Sequence, residues 1–471
     1  MSPETVLREL DVGHSAETGV VSLPMSVLAV GERRLEAETY LTGGYGLRRR
    51  VESLLPHTRL GNIGDVWQPS RLKATEVHAE AGQAFLTATQ VFDIRPAARK
   101  WLAPGKTPDL SRRQVQPGWI LVTRSGSVGD AILAYAPHFD AIISDDLLRL
   151  EVRDPKHRGY VYSYLRSGVG RAILSSSQYG SVVKHLEASH LADVPMPTAP
   201  EAIYQDLNDR IDLVYDLRER AFQLSKEAES LYSQRFPPVP VVEDKGYTIP
   251  ASRAFSGRRR LDAYHYNAHA SEIERLVRSE SQVQSLSQVA ERIVLPNRFA
   301  RVYVPGGIPH VDSKDIFKVN PATKKFVAPS SAKDITEYFV ERDWLLVARS
   351  GQIYGINGSV TLATERHEQR VVSEHIIRVI PRHVRPGYLM LALGHRTLGR
   401  PLVVRLAFGS SVPEIAPTDL AAVPVPRLGD LEDKIADRVE EASALRVRAS
   451  HEEDAAVDHL ERYIQNKLKD R

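Results

Sequence analysis

The chain has 471 residues, which is too long for one ordinary core and, at roughly 150 residues per domain, allows about three domains. With 42% hydrophobic residues and a mixed charge set, its composition is that of a globular protein and excludes a disordered one; the net charge of +3 does not by itself indicate a polyanionic partner. The absence of cysteine excludes disulfides, thiolate zinc sites and a cysteine nucleophile, and fits a reducing compartment.

The first 30 residues form a separate N-terminal segment with no counterpart later in the chain. Residues 1–30 lack a basic start followed by a continuous apolar stretch. No run of about 18 apolar residues occurs anywhere in the sequence. We therefore expect a soluble protein that is not secreted and stays in the cytoplasm.

From about residue 31 onward, the sequence contains one pattern twice. Trp119-Ile-Leu-Val-Thr-Arg-Ser-Gly126 returns as Trp344-Leu-Leu-Val-Ala-Arg-Ser-Gly351, at an offset of 225 residues (344 − 119). Ordered matches of this kind, at offsets of about 225 to 229, predict two tandem copies of one domain. The other matched segments are Leu35-Glu-Ala with Leu261-Asp-Ala, Phe92-Asp-Ile-Arg-Pro96 with Phe317-Lys-Val-Asn-Pro321, Ser144-Asp-Asp-Leu-Leu-Arg149 with Ser373-Glu-His-Ile-Ile-Arg378, Tyr179-Gly-Ser181 with Phe408-Gly-Ser410, and Val194-Pro-Met-Pro197 with Val423-Pro-Val-Pro426.

Each copy begins with a body of short apolar runs that have the length of strands. Gly, Pro, Ser and Asp separate these runs, as is typical of strands joined by turns. The bodies are therefore predicted to be compact α+β domains. The predicted strands are Trp119–Val122, Ala131–Tyr135, Leu147–Val152, Trp344–Val347, Val360–Leu362 and Ile376–Ile380.

A long helix is predicted to follow each body. Two prolines in each Val-Pro-x-Pro segment favour an extended exit from the body, and after them apolar residues recur at steps of three and four. The first helix runs to about Phe236, where Pro237-Pro238 stops it. The apolar residues expected to form the interface of a helix pair are Ile211, Val214, Leu217, Leu224, Leu231, Ile435, Val439, Leu445, Leu460 and Ile464.

A narrow apolar seam sustained over five turns or more favours a partner helix, and the helix of the other copy is the obvious partner. An antiparallel pair is therefore expected; the alternative is that each helix packs on its own body. A rod of about 36 residues would be on the order of 55 Å long. Such a rod would hold the two bodies apart at a fixed distance.

These features predict six segments. They are the N-terminal segment (1–30), the first body (31–198), the first long helix (199–236), a linker (237–258), the second body (259–427) and the second long helix (428–471).

Motifs for catalysis are missing from the sequence. There is no phosphate-binding loop, no Asp/Asn-Pro-Pro-Tyr/Phe segment of amino-methyltransferases, no nucleophile elbow, and no histidine spacing suited to a metal. One nuclease-like pattern, Asp145-Asp146 followed by Glu151-Val-Arg153, has arginine where metal-dependent nucleases place lysine. We therefore expect no catalytic residues and no metal site in this chain.

Basic and hydroxyl side chains in matched positions are the candidates for contact with a polyanion. Arg124-Ser125-Gly126 and its repeat Arg349-Ser350-Gly351 follow predicted strands, where a guanidinium and a hydroxyl can bind phosphate or a base edge. The alternative is a strand end held by a local salt bridge, with glycine supplying the turn. The predicted DNA-binding residues are Arg71, Lys73, Arg124, Ser125, Lys184, Arg298, Lys314, Arg349 and Ser350.

The order of these segments resembles the DNA specificity (S) subunit of type I restriction-modification systems. The resemblance spans roughly residues 31 to 471 and rests on Leu261-Asp-Ala, Gly307-Ile-Pro309-His-Val-Asp-Ser-Lys-Asp-Ile316, Asp343-Trp-Leu-Leu-Val-Ala-Arg-Ser-Gly351, Leu420-Ala-Ala-Val-Pro-Val-Pro426 and the long helix that follows. The first copy departs from it at Gly82-Gln-Ala84, which stands where the second has Gly307-Ile-Pro309. The resemblance implies two tandem α+β target recognition domains separated by two long helices packed as an antiparallel coiled coil.

The resemblance also implies a function. An S subunit has no catalysis of its own and binds a bipartite site in double-stranded DNA. It docks two adenine-N6 methyltransferase subunits, which use S-adenosylmethionine, and restriction-translocase subunits, which use ATP and Mg2+. The chain itself would hold no cofactor. Two alternatives stay open: a DNA-binding adaptor of another phage-defence system, and a self-contained nuclease or methyltransferase.

Overall fold

The computed structural model describes Met25 and residues 37–41, 43–179, 184–240, 248–255, 259–321 and 323–470. Apart from Met25, the predicted N-terminal segment lies outside the described residues. The repeated segment Leu35-Glu-Ala, Gly180 with Ser181, and part of the predicted linker 237–258 also lie outside them in whole or in part. No helix in the described part of the chain is both long and apolar enough to cross a bilayer.

The chain divides into two compact units. Unit 1 comprises Met1–Glu219 together with Arg448–Arg471, and unit 2 comprises Arg220–Val447. The division falls inside both long helices, whereas the predicted segments placed whole helices outside the bodies. The reason is that each part of a helix packs on a body: in unit 1, for example, Asn208 Oδ1 accepts a hydrogen bond from the backbone N–H of Gly159 at 3.1 Å.

The predicted strands and helices are present, and their ends differ from the prediction by at most three residues. The helices are α1 (Ala37–Leu41), α2 (Gly43–Leu54), α3 (Leu60–Ile63), α4 (Leu110–Arg113), α5 (Arg158–Arg166), α6 (Gly168–Ser176), α7 (Ala188–Ala192), α8 (Glu201–Ser233), α9 (Ala251–Ala254), α10 (Ala268–Glu280), α11 (Leu286–Val289), α12 (Pro386–Gly394), α13 (Arg400–Val404), α14 (Pro417–Leu420) and α15 (Asp430–Lys469). Of these, α8 and α15 are the long helices that the apolar periodicity predicts. Both follow a Val-Pro-x-Pro segment.

The described part of unit 1 contains three sheets. Their strands are β1 (His57–Arg59), β2 (Gly64–Trp67), β3 (Glu76–Val77), β4 (Gln83–Leu86), β5 (Lys100–Leu102), β6 (Ile120–Thr123), β7 (Ala131–Leu133), β8 (Ile142–Ile143), β9 (Leu147–Val152) and β10 (Pro195–Pro197). The central antiparallel sheet has the order β2-β9-β6-β7, a second sheet has the order β3-β5-β4-β8, and β1 pairs with β10. Every residue of β6 is buried, which explains its continuous apolar sequence.

Unit 2 repeats this arrangement. Its strands are β11 (Gln282–Ser285), β12 (Ala290–Val294), β13 (Tyr303–Val311), β14 (Phe326–Val327), β15 (Leu345–Ala348), β16 (Val360–Leu362), β17 (Val371–Val372), β18 (Ile376–Pro381) and β19 (Pro424–Arg427). The sheet β12-β18-β15-β16 matches β2-β9-β6-β7 strand for strand, and β11 pairs with β19 as β1 pairs with β10. In both units one parallel pair, β4 with β8 or β13 with β17, completes the pattern.

One buried arginine occupies the same position in each unit. Arg149 in β9 donates to the carbonyls of Ser144 and Ile143, each at 2.8 Å, and is fully buried. Its repeat Arg378 in β18 donates to the carbonyls of Ser373 at 3.2 Å and Val372 at 2.8 Å. Burial lowers the pKa of Arg149 to about 9 and that of Arg378 to about 10, so both stay charged at neutral pH. The arginine in each repeated segment therefore holds the turn that precedes its own strand.

The Val-Pro-x-Pro segments are tied to the bodies by a second repeated bond. The hydroxyl of Tyr160 in α5 donates to the carbonyl of Pro197 at 2.5 Å. The hydroxyl of Tyr388 in α12 donates to the carbonyl of Pro426, also at 2.5 Å. Since the two bonds have equivalent partners, the start of each long helix is fixed to its body in the same way.

Candidate nucleic-acid interface and helix pair

The Arg-Ser-Gly turn of unit 2 is held by local polar contacts. Arg349 donates through Nη2 to Glu414 Oε2 at 2.5 Å and through Nε to the carbonyl of Ile415 at 3.3 Å. Ser350 Oγ lies 3.0 Å from Nδ1 of His375 and donates to Glu414 Oε1 at 3.3 Å. Only 17% of the Arg349 side chain is exposed, so its guanidinium is directed into the protein.

The turn of unit 1 has an equivalent arrangement with different partners. Arg124 Nη2 donates to Glu187 Oε1 at 3.0 Å and contacts the Tyr179 hydroxyl at 3.4 Å, and Ser125 Oγ donates to Asp146 at 3.3 Å. Burial opposes the charge of Arg124, but the bond to Glu187 outweighs it and raises the pKa of Arg124. In both turns, an ion pair of the arginine thus holds the end of the strand, which is the alternative to a DNA contact that the sequence left open.

The glycines of both turns fit this interpretation. Gly126 has φ of +74° and Gly351 has φ of +129°, a backbone region that residues with a Cβ rarely adopt. The repeated Arg-Ser-Gly sequence is therefore explained by the turn that it builds. Contact of Arg124, Ser125, Arg349 or Ser350 with DNA stays a prediction.

The other predicted DNA-binding residues lie closer to solvent. Arg71 and Lys73 are exposed on the segment between β2 and β3, and Lys314 is exposed after β13. Arg298 has 69% of its side chain exposed and lies 3.3 Å from Glu414, the same carboxylate that pairs with Arg349. Lys184 is partly buried beside β-bridge residue His185.

Sequence reasoning did not single out the loop that follows the turn in unit 2. From Gly351 to Val360 the offset between the copies rises from 225 (351 − 126) to 229 (360 − 131), which means that unit 2 has four more residues here. The exposed Tyr354 lies in this insertion. The rise in offset from 225 to 229 was the feature of the sequence that could have identified this loop.

In unit 1, the start of α8 packs antiparallel to the end of α15. Asp206 Oδ2 lies 2.8 Å from His459 Nδ1, and Arg210 Nη1 lies 3.1 Å from Glu452. As the position rises along α8, the partner position falls along α15. Among the predicted seam residues of this unit, those that are buried are Ile211, Val214, Leu217, Leu460 and Ile464.

A buried polar cluster lies where α8 and α15 pack together in unit 1. Glu453 is fully buried; its Oε1 accepts from the Tyr162 hydroxyl at 2.5 Å, and its Oε2 accepts from Arg218 at 2.9 Å and lies 3.4 Å from Arg166. Burial alone would raise the pKa of Glu453, but the two guanidinium groups lower it to about 2. The carboxylate therefore stays charged inside the protein.

In unit 2, the end of α8 packs antiparallel to the start of α15. Leu224 and Ala221 form a cluster with Ala442 and Leu445. The remaining predicted seam residues, Leu231, Ile435 and Val439, belong to or pack against the main core of this unit. Of all the predicted seam residues, Leu231 and Leu445 are only partly buried.

The described residues do not contain a cluster of three or more His, Asp or Glu side chains that could hold a metal ion. In the nuclease-like segment, Arg153 pairs with Asp65 at 2.5 Å and Asp146 accepts from Ser125. Arg153 and Asp146, two charged residues of the nuclease-like pattern, thus each have a partner within the protein.

The chain resembles solved structures of type I restriction-modification proteins. The S subunit from M. genitalium has 13% identity and a TM-score of 0.31, and covers 88% of this chain and 96% of that chain. The HsdS subunit from Thermoanaerobacter tengcongensis has 13% identity and a TM-score of 0.25, with coverage of 88% and 96%. A third structure comes from work on the complex assembly and conformational transition of the type I R-M system. It has 16% identity and a TM-score of 0.27, and the alignment covers 88% of this chain and 98% of that chain.

Neither protein-family models nor curated proteins give a match.

Proposed function

We propose that this chain is a DNA sequence-specificity subunit of a type I restriction-modification complex. The observation that carries the proposal is internal: two units share one sheet order, one buried arginine and one tyrosine bond to the exit segment. Each unit also holds parts of the same two long helices. A duplicated body without a catalytic motif suits a protein that binds two similar targets.

The two targets are the halves of a split site in double-stranded DNA. Each unit acts as one target recognition domain, and α8 and α15 together act as an antiparallel coiled-coil spacer. A helix of 33 residues such as α8 is about 50 Å long. This length corresponds to about 15 base pairs at roughly 3.4 Å each, so we expect two short specified blocks with an unread gap.

Exposed basic residues provide the contacts with the DNA backbone. Arg71 and Lys73 in unit 1, and Arg298 and Lys314 in unit 2, are exposed side chains that can reach phosphates. Arg124, Ser125, Lys184, Arg349 and Ser350 act with them where the turns approach the duplex. The ion pairs of Arg124 and Arg349 support a positioning role for these two residues.

The chemistry belongs to partner subunits. Two methyltransferase subunits would bind S-adenosylmethionine and modify adenine, and restriction-translocase subunits would use ATP and Mg2+. The chain would direct these enzymes to DNA without a cofactor of its own. Its lack of catalytic sequence motifs supports this division of labour.

Methylation mapping tests the proposal. The chain and its genomically adjacent methyltransferase are expressed together in a host without DNA methylation, and long-read sequencing records the modified adenines. We expect one split motif that disappears when the gene for this chain is removed. Methylation that persists without the chain, or a motif without a gap, would reject the proposal.

Purified chain provides a complementary measurement. DNA turnover with Mg2+, or methyl transfer from S-adenosylmethionine, would instead identify a self-contained enzyme. We expect neither reaction.

A further inference from the structure

We propose that the loop of residues 351–358 in unit 2, here called the insertion loop, contacts base edges and determines part of one half-site. This inference rests on the proposed function and adds to it the residues that read bases. The proposed readers are Gln352 and Tyr354. Both side chains are exposed, and Tyr354 is 65% exposed, which is unusual for a tyrosine in a folded body.

The insertion loop is the place where the two copies differ most clearly in the repeated hairpin. Eleven residues join β15 to β16 (349–359), whereas seven join β6 to β7 (124–130). The strands on both sides keep the same pairing in the two units. Since matched residues build the common fold, a difference confined to one loop is suited to a difference in the sequence that each unit recognises.

The insertion loop is held from beneath by two polar side chains. Asn357 is fully buried, and its Nδ2 donates to the carbonyls of Arg349 and Gly351, each at 3.2 Å, and of Pro413 at 2.9 Å. Arg400 Nη2 donates to the carbonyls of Gly355 at 2.9 Å and Asn357 at 3.0 Å. A loop fixed in this way loses little conformational freedom when it binds.

Apolar anchors fix the direction of the exposed side chains. Ile353 packs against the main core of unit 2, and Ile356 packs against a second apolar cluster. Between and beside them, Gln352 and Tyr354 face solvent. The amide of Gln352 also donates to the carbonyl of Ser411 at 3.4 Å, which joins the insertion loop to the exposed segment 409–412.

The charge around the insertion loop favours DNA as the occupant. Arg298, which is 69% exposed, and Arg349 both pair with the carboxylate of Glu414, and these three side chains together carry a net positive charge. A glutamine amide matches the donor and acceptor pattern of adenine in the major groove, and an aromatic ring can contact a thymine methyl group. Positive charge beside such groups attracts the phosphates that flank the bases.

The test uses the complete chain with its methyltransferase partner, and compares the methylated motif of wild type with those of Gln352→Ala and Tyr354→Ala. Phe255→Ala serves as the matched control, because Phe255 is an exposed aromatic residue of the same unit outside the insertion loop. We expect discrimination at one or two positions of one half-site to fall by about 5- to 150-fold, as for loss of a base contact. The other half-site, and both halves in the control, stay unchanged.

Three outcomes would overturn the inference. One is an unchanged motif in both loop variants, and another is an equal loss in the two half-sites. The third is reduced binding of the methyltransferase with unchanged base preference, which would make the insertion loop a protein-docking surface. A wild-type complex that yields no split motif would instead reject the proposed function itself.

Discussion

Replacement of Glu453 by glutamine should destabilise unit 1 strongly. The substitution keeps the size of the side chain and creates no cavity, but it removes the charge that faces Arg218 at 2.9 Å and Arg166 at 3.4 Å. Both guanidinium groups would then lose the buried carboxylate that they share. Breaking a buried ion pair on one side costs about 3–5 kcal/mol, and we expect Glu453→Gln to fall at the lower end because glutamine can still accept hydrogen bonds.

The repeat supplies a matched control in unit 2. Glu453 corresponds to Ser225 (453 − 225 = 228), and Arg218 corresponds to Arg446 (446 − 218 = 228). Arg446 Nη2 donates to Ser225 Oγ at 2.6 Å and also to the carbonyl of Ala221 at 3.3 Å. Because the second acceptor remains after Ser225→Ala, that variant should lose only about 1 kcal/mol.

Urea unfolding followed by tryptophan fluorescence is a suitable assay. Trp67, Trp101 and Trp119 lie in unit 1 and Trp344 lies in unit 2, so tryptophan fluorescence follows the unfolding of both units. The expected result is a clearly lower midpoint for Glu453→Gln than for Ser225→Ala at equal slope. A difference of less than about 1 kcal/mol between the two variants would show that the charge of Glu453 does not stabilise unit 1.

Four further predictions follow from the same contacts. The pKa of Glu453 is lowered from 4.5 to about 2, so its carboxylate contributes fully to the stability of unit 1 above pH 4.5, and this contribution should be lost as the pH falls through 2. The stabilities of wild type and Glu453→Gln, measured by acid unfolding, should therefore converge at low pH. Arg378→Met removes the guanidinium that donates to the carbonyls of Ser373 and Val372 and should lower the stability of unit 2 by about 1–3 kcal/mol in urea unfolding. Leu217→Asp combined with Leu445→Asp should separate the helices and abolish discrimination between specific and random DNA, while circular dichroism shows folded bodies; retained discrimination would contradict the spacer role. Arg298→Ala should reduce the slope of the logarithm of the DNA-binding constant against the logarithm of salt concentration by about 1, as expected for the loss of one phosphate contact. An unchanged slope would exclude a contact between Arg298 and phosphate.

The sequence predicted those features that depend on local pattern. Continuous apolar runs predicted the strands on either side of the Arg-Ser-Gly turns, since strands buried on both faces need apolar residues at every position. Steps of three and four predicted the extent of α8 and α15, and Pro237-Pro238 marked where the first long helix stops. The order of the repeat predicted that the sheets of unit 2 would follow those of unit 1.

The sequence did not predict contacts between distant residues. Arg349 meets Glu414, 65 residues later, whereas Arg124 meets Glu187, 63 residues later, and the two acids do not occupy repeated positions. A conserved arginine can therefore keep an ion pair while its partner changes place. For the same reason, the sequence alone left the choice between a DNA contact and a structural turn open.

The buried polar cluster around Glu453 fixes the register of α15 against α8 in unit 1. In unit 1, Glu453 needs Arg218 and Tyr162 opposite it, while in unit 2 the corresponding Arg446 donates to the hydroxyl of Ser225 and to the carbonyl of Ala221. A shift of α15 by one turn, about 5.4 Å, would move Glu453 out of hydrogen-bonding distance of both partners and leave a buried charge unpaired. An apolar seam with repeated leucines and alanines tolerates such a shift far better, since one apolar contact replaces another. Within unit 1, the apolar residues thus provide the association of α8 with α15, and the polar cluster around Glu453 selects their alignment.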